Sequence, residues 1–191
     1  MRARLRAATE TSHDALDAKM AAMLDRGSSG YVEFLRVSAQ AVLPLEEALK
    51  AAGVASILPD WRERSRGAAL RADLAALGVI APPAMAVRLP REEAYLLGVL
   101  YTLEGSRLGA KLLAGRVEAA ADASMRNAVQ YLRHGEGRDF WQTFLVRLEA
   151  SQAARDAPDR AIRGALATFA AFDPGTGSVP RPPSGKLPRY D

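Results

Sequence analysis

His13 and Asp17 stand four residues apart in TETSHDALDAKM, a spacing that brings two side chains to one face of a helix. Asp17 is then within reach of one ring nitrogen of His13. A carboxylate in that place fixes the imidazole tautomer and leaves the other nitrogen free to bind a metal. Arg6, Thr9, Leu16 and Met20 share the same face. A surface histidine paired with a carboxylate has the same signature, so the pair alone leaves both readings open. A second signal lies in LEGSRLGAKLL, residues 103–113. Each glycine inside a helix costs about 1 kcal/mol relative to alanine, yet Gly105 and Gly109 stand four apart. With Gly98 and Thr102 they fall within about 60° of one another on a helical wheel. That stripe of nearly bare backbone suits close packing of a second helix, or a flat ligand laid against it, and permits a kink. The other histidine, His134 in LRHGEG, reads as a helix C-terminal cap.

Composition narrows the chemistry. The 191 residues contain no cysteine, which excludes disulfides, thiolate metal sites and cysteine nucleophiles. One histidine is too few for zinc, which takes several protein ligands. It is enough for haem, where the porphyrin supplies four nitrogens. The formal net charge is +4, but the basic residues are scattered among acidic ones, with no basic stripe or recognition helix. This argues against nucleic acid as a partner. No apolar run reaches the roughly 20 residues that cross a bilayer, and MRARLRAATE lacks an apolar signal core. The expectation is a cytoplasmic protein without a membrane partner.

These residues must be positioned by helices. Apolar residues recur at helical spacing throughout, β-branched and aromatic residues are sparse, and no alternating strand pattern appears. The expected elements are seven: 4–24, 31–52 with Ser29 as N-cap and Pro44 inside, 59–77, 90–121, 125–133, 139–154 and 158–172. The segment VIAPPAMAVRLP is a connector. Residues 1–173 form one all-α domain, and the Pro/Gly-rich residues 174–191 read as a mobile tail.

With the residues in place, a resemblance emerges. LRAATETSHDALD resembles the proximal helix of haem oxygenases, and GVLYTLEGSRLGAKLL resembles their distal helix, especially in its bacterial glutamate–glycine–serine form. GYVEFLRVSAQAVLPLEEAL and FWQTFLVRLEA are similar to further segments of that family, so the likeness spans about residues 3–172. It implies haem sandwiched between a proximal helix and a kinked distal helix. His13 is then the iron ligand, oriented by Asp17. Gly105, Gly109 and Ser106 form the distal, catalytic side, where missing side chains leave room for haem and dioxygen. Arg6, on the His13 face, and Arg116, seven residues after Gly109, are the candidate partners of the haem propionates.

The implied reaction is oxidative cleavage of haem to biliverdin, carbon monoxide and ferrous iron, with haem as both cofactor and substrate. O2 and an electron donor such as ferredoxin or flavodoxin with its reductase are the further partners. Three positions depart from the family pattern. Ala110 stands where many members have another glycine, and Ser106 where animal-type members have an aspartate that anchors distal waters. Asp17 is one methylene shorter than the usual glutamate. The alternative function is a haem carrier or sensor of the same fold that releases haem intact. A di-iron site would need Glu-x-x-His pairs on two facing helices, which the chain does not supply.

Overall fold

The computed structural model describes residues 1–83, 85–120 and 122–173. Among them every regular element is helical. In chain order these are α1 (Arg2–Leu24), α2 (Gly27–Ala51), a 3-10 turn (Val54–Ser56), α3 (Trp61–Arg64), α4 (Gly67–Ala76), α5 (Glu93–Glu118), α6 (Ala123–Arg126), α7 (Gln130–Arg133), α8 (Phe140–Ala150), α9 (Gln152–Asp156) and α10 (Pro158–Ala171). The expected tail, 174–191, lies outside the described residues, as does Ala121, the expected end of the long helix.

Among the described residues ten α-helices replace the seven expected, because side chains, two of them distant in sequence, capture backbone groups and divide three of the expected helices. The helix expected over 59–77 breaks at Ser65, which is extended. Buried Glu46 of α2 accepts the Arg66 N–H at 2.7 Å and the Gly67 N–H at 2.9 Å, which starts α4. Asp73 of α4 likewise accepts the N–H groups of Gln130 (3.0 Å) and Tyr131 (2.7 Å), which divides the expected 125–133 helix into α6 and α7. Burial pushes the Asp73 carboxyl above its ordinary range, and the two N–H bonds partly offset that. Ser151 breaks the 139–154 helix, its hydroxyl accepting from the Ala154 N–H at 3.2 Å. Nor is Ser29 an N-cap. The chain turns from α1 into α2 at Gly27, with φ of +68°, so Ser29 lies inside the helix.

The core gathers Leu35, Leu45 and Leu49 of α2, Leu70 and Leu74 of α4, and Leu97 and Leu100 of α5, all fully buried. α5 packs most extensively on α10, and α1 packs on α10 and α2 and also touches α5.

Candidate functional site

Between Thr9 and Met20 no residue of α1 is buried. Its ends are anchored, by Leu5 and Thr9 on one side and by Met20, Met23 and Leu24 on the other. Thr9 bonds back to the Leu5 carbonyl at 2.8 Å. In the three central turns, which carry His13 and Asp17, Leu16 packs against the core and is only partly buried, and the rest of the turns stay open. α5 behaves in the same way: it is buried as far as Glu104 and then opens, with Leu108 55 % and Leu112 75 % exposed. Both open faces border one groove of about 530 Å³. Large apolar side chains exposed to a concave surface mark a binding site rather than a free surface.

His13, Asp17 and Arg6 lie on the α1 wall; Gly105, Ser106 and Gly109 lie on the α5 wall. Phe34, Tyr101, Tyr131, Trp141, Phe169 and Phe172 supply the aromatic lining. On the α1 wall Asp17 Oδ2 is 3.4 Å from His13 Nδ1, and Asp14 Oδ1 is 3.5 Å from the same atom. Both are close enough to orient the ring but longer than a formed hydrogen bond. Nε2 is left without a partner among the described residues. The Phe169 ring stands edge-on to the imidazole, with centroids 6.2 Å apart.

The glycine stripe divides into two halves with different tasks. A methyl group at Gly98 would stand 1.8 Å from the Ala161 carbonyl oxygen, and one at Gly164 of α10 would stand 2.1 Å from the Tyr95 carbonyl oxygen. These two glycines allow α5 and α10 to touch backbone to backbone. Thr102 continues the contact by donating to the Ala165 carbonyl at 3.2 Å. Beyond it the stripe leaves α10. Gly105 meets only the Trp141 ring, at 3.6 Å from an added methyl, and Gly109 meets nothing within 4 Å. Close packing explains the first half, and open space in the groove belongs to the second. Ala110 is buried beside it and lines the groove.

Arg116 does not line this groove. Its guanidinium is paired with Asp25 at 2.5 Å on the exposed end of α5, so the expectation of a propionate partner there is corrected. The groove instead contains Arg2, four residues before Arg6 and on the same face of α1. The i, i+4 spacing already present in MRARLR was the signal for it. Arg2 and Arg6 lie near the Tyr101 hydroxyl and lower its pKa, although burial, the larger effect, raises it.

His134 stands at the C-cap of α7, as expected, but as a neutral ring rather than a cation on the helix dipole. Its Nδ1 is 3.2 Å from the Arg107 guanidinium, and burial first, then Arg107 and Arg66, push the imidazole down to about 4. It is neutral and serves as a hydrogen-bond acceptor for Arg107. That arginine belongs to a buried cluster beneath α5, in which Glu104 bonds both Arg64 (2.8 Å) and Arg107 (3.0 Å). Ser106 adjoins this cluster, since its hydroxyl donates to the Leu103 carbonyl at 2.8 Å and accepts from Arg66 Nη2 at 2.8 Å. No sequence signal linked Arg66 to Ser106.

The groove offers a single imidazole flanked by carboxylates, two arginines and an aromatic, apolar lining. Glu10 and His13 do have Glu-x-x-His spacing, but among the described residues no three His, Cys, Asp or Glu side chains are grouped to hold a metal ion. A cofactor that supplies most of its own iron ligands fits this donor set. An all-helical fold with this groove between its first and its long central helix is that of the heme oxygenases. The chain belongs to the heme oxygenase family, whose model matches residues 1–174, and is accordingly an enzyme of haem degradation. It is 32% identical over 158 residues to a heme oxygenase of Xanthomonas campestris pv. campestris (strain 8004), covering 80% of this chain and 92% of that one. Its fold matches the heme oxygenase of Neisseria meningitidis, solved in NO- and CO-bound forms, with a TM-score of 0.69 at 24% identity over 97% of each chain. Among the described residues no helix is long and apolar enough to cross a membrane.

Proposed function

We propose that haem occupies the groove between α1 and α5, where His13 would hold its iron, and is opened there to biliverdin, carbon monoxide and ferrous iron. The observation that carries this reading is the pair of open helix faces. His13 and its carboxylates stand on one, and the bare backbone of Gly105 and Gly109 stands on the other. Bound haem supplies the iron and the porphyrin, on which O2 and reducing equivalents act.

The chain's residues hold and orient. Asp17, with Asp14 beside it, faces Nδ1 of His13 and keeps the proton there, so that Nε2 presents its lone pair to the groove. Arg6 and Arg2 are the cations for the two propionates, and arginine holds a carboxylate bidentately. Gly105 and Gly109 leave space against α5, and the aromatic lining excludes bulk water from the macrocycle. Ser106 offers a hydroxyl where a distal water can bind. We propose further that ferredoxin or flavodoxin with its reductase supplies electrons, in the cytoplasm.

Haem titration, followed by a reductant in air, tests the reading. One-to-one binding, then loss of the Soret band with appearance of biliverdin, is expected. A Soret band that persists under excess reductant would instead identify a carrier that releases haem intact.

A further inference from the structure

Among the described residues α8 contributes one side chain to the groove, Trp141. Its ring is partly buried and held from two sides. Phe144, fully buried and almost one turn further along α8, stacks on it, with centroids 5.8 Å apart and 27° between the planes. Tyr101 of α5 stands tilted against it at 5.6 Å. Aromatic pairs at such separations attract one another beyond the area they bury, so the indole is fixed in place.

The far edge of the indole reaches α5. Its Cη2 and Cζ3 stand 3.6 Å from the position that a methyl group at Gly105 would occupy. Without the methyl, at most about 1.5 Å more separates the ring from the Gly105 Cα. A macrocycle inserted there would need roughly 7 Å, a carbon–carbon contact distance on each of its faces. No flat ligand can therefore pass between Gly105 and Trp141. One turn further on, a methyl at Gly109 would meet nothing within 4 Å. The bare backbone of α5 is open at Gly109 and bounded at Gly105, and Trp141 is the bound. Arg2 and Arg6 lie near the hydroxyl of the same Tyr101 that packs on Trp141. The indole and the proposed propionate partners thus share one end of the groove.

We propose that Trp141 is a specificity-determining residue of the groove: its indole is the stop against which one edge of the macrocycle rests. It thereby fixes the in-plane position of haem and the meso carbon that faces Gly109. The proposal rests on haem occupying the groove. Charge alone does not set that position, because a carboxylate on a flexible propionate chain can follow an arginine through a range of ring rotations. A wall of carbon atoms stops the rotation. The arginines choose which end of haem enters, and the indole chooses how the ring sits once there.

The test uses the full chain loaded with ferric haem. Proton NMR of the cyanide complex reads the in-plane orientation from the haem methyl shifts, without turnover. Chromatography of the biliverdin then reads which carbon was opened. Trp141→Ala should add a set of haem methyl signals absent from wild type. It should also raise the ratio of minor to major biliverdin isomers about fivefold, the factor that loss of one aromatic contact implies. Trp141→Phe keeps a ring beside Phe144 but is too short to reach Gly105, so it should shift both readings in the same direction. If Trp141→Ala fails to fold, Trp141→Phe decides the matter. The proposal is overturned by wild-type methyl signals together with an isomer ratio within about twofold of wild type, below the smallest effect of a lost aromatic contact. Weaker haem binding with both readings unchanged is what a merely structural tryptophan would give, and overturns it equally. A wild-type chain that binds no haem overturns the groove assignment itself, and the titration that precedes each measurement separates the two failures.

Discussion

Gly98 of α5 lies so close to Ala161 of α10 that a methyl group on it would stand 1.8 Å from the Ala161 carbonyl oxygen. The obstacle is backbone, which cannot rotate away. Gly98→Ala should therefore destabilise the fold by about 2–4 kcal/mol, at the upper end of overpacking effects. Gly109→Ala meets open space and should be neutral or stabilising by up to about 1 kcal/mol, the helix propensity gain. Thermal or denaturant unfolding of the two variants checks this. Equal effects would mean that the stripe is a single feature.

Gly109→Leu carries the same distinction into function. Its side chain would enter the groove from the α5 wall without touching the core. The variant should unfold as wild type does, yet lose haem cleavage by at least about tenfold. Biliverdin formation under a chemical reductant is the measurement, and full activity would remove Gly109 from the site.

His134 makes a prediction about pH. Its imidazole is pushed down to about 4 by burial, Arg107 and Arg66, whereas an unfolded histidine takes up its proton near 6.5. The stabilising contribution of neutral His134 is thus complete above about pH 6.5, and is lost as pH falls towards 4. Over that window wild type should lose on the order of 1–3 kcal/mol more stability than His134→Gln, which does not titrate. Denaturant unfolding at pH 7 and pH 4.5 gives the comparison. Parallel losses in both proteins would contradict a buried neutral imidazole.

Arg6 and Arg116 should behave differently, because only Arg6 borders the groove. Arg6→Ala should weaken haem binding by about five- to tenfold, as loss of a charge-assisted contact implies, and should alter the biliverdin isomer ratio, with the α isomer favoured in wild type. Arg2→Ala should act in the same direction. Arg116→Ala, which breaks only the exposed pair with Asp25, should change neither quantity. Chromatography of the product together with haem titration decides among them.

Periodicity made α1, α2, α5 and α10 legible, because long helices repeat their apolar spacing over many turns. It could not find the breaks at Ser65, Asn127–Val129 and Ser151. Glu46 and Asp73, which hold the starts of α4 and α7, lie some 20 and 57 residues away in the chain. The same limit explains the site. His13, Asp17 and Arg6 share one helix, so their spacing placed them on one face. Arg66 reaches Ser106 across 40 residues, a relation made by the tertiary fold and carried by no local pattern. Arg116 was misplaced because a helical wheel gives direction but not depth. It shares an angle with Gly109, but lies beyond the end of the groove.

The ligation of haem by His13 remains the point on which the reading of the groove depends. His13→Ala, titrated with haem and followed by absorption and electron paramagnetic resonance, tests it most directly. Asp17→Asn should show a milder weakening, about tenfold, as an orienting partner does. The His13 variant should lose the histidine-ligated spectrum, and added imidazole should restore both the spectrum and part of the activity. A His13→Ala protein whose spectrum and haem affinity match wild type would contradict the account.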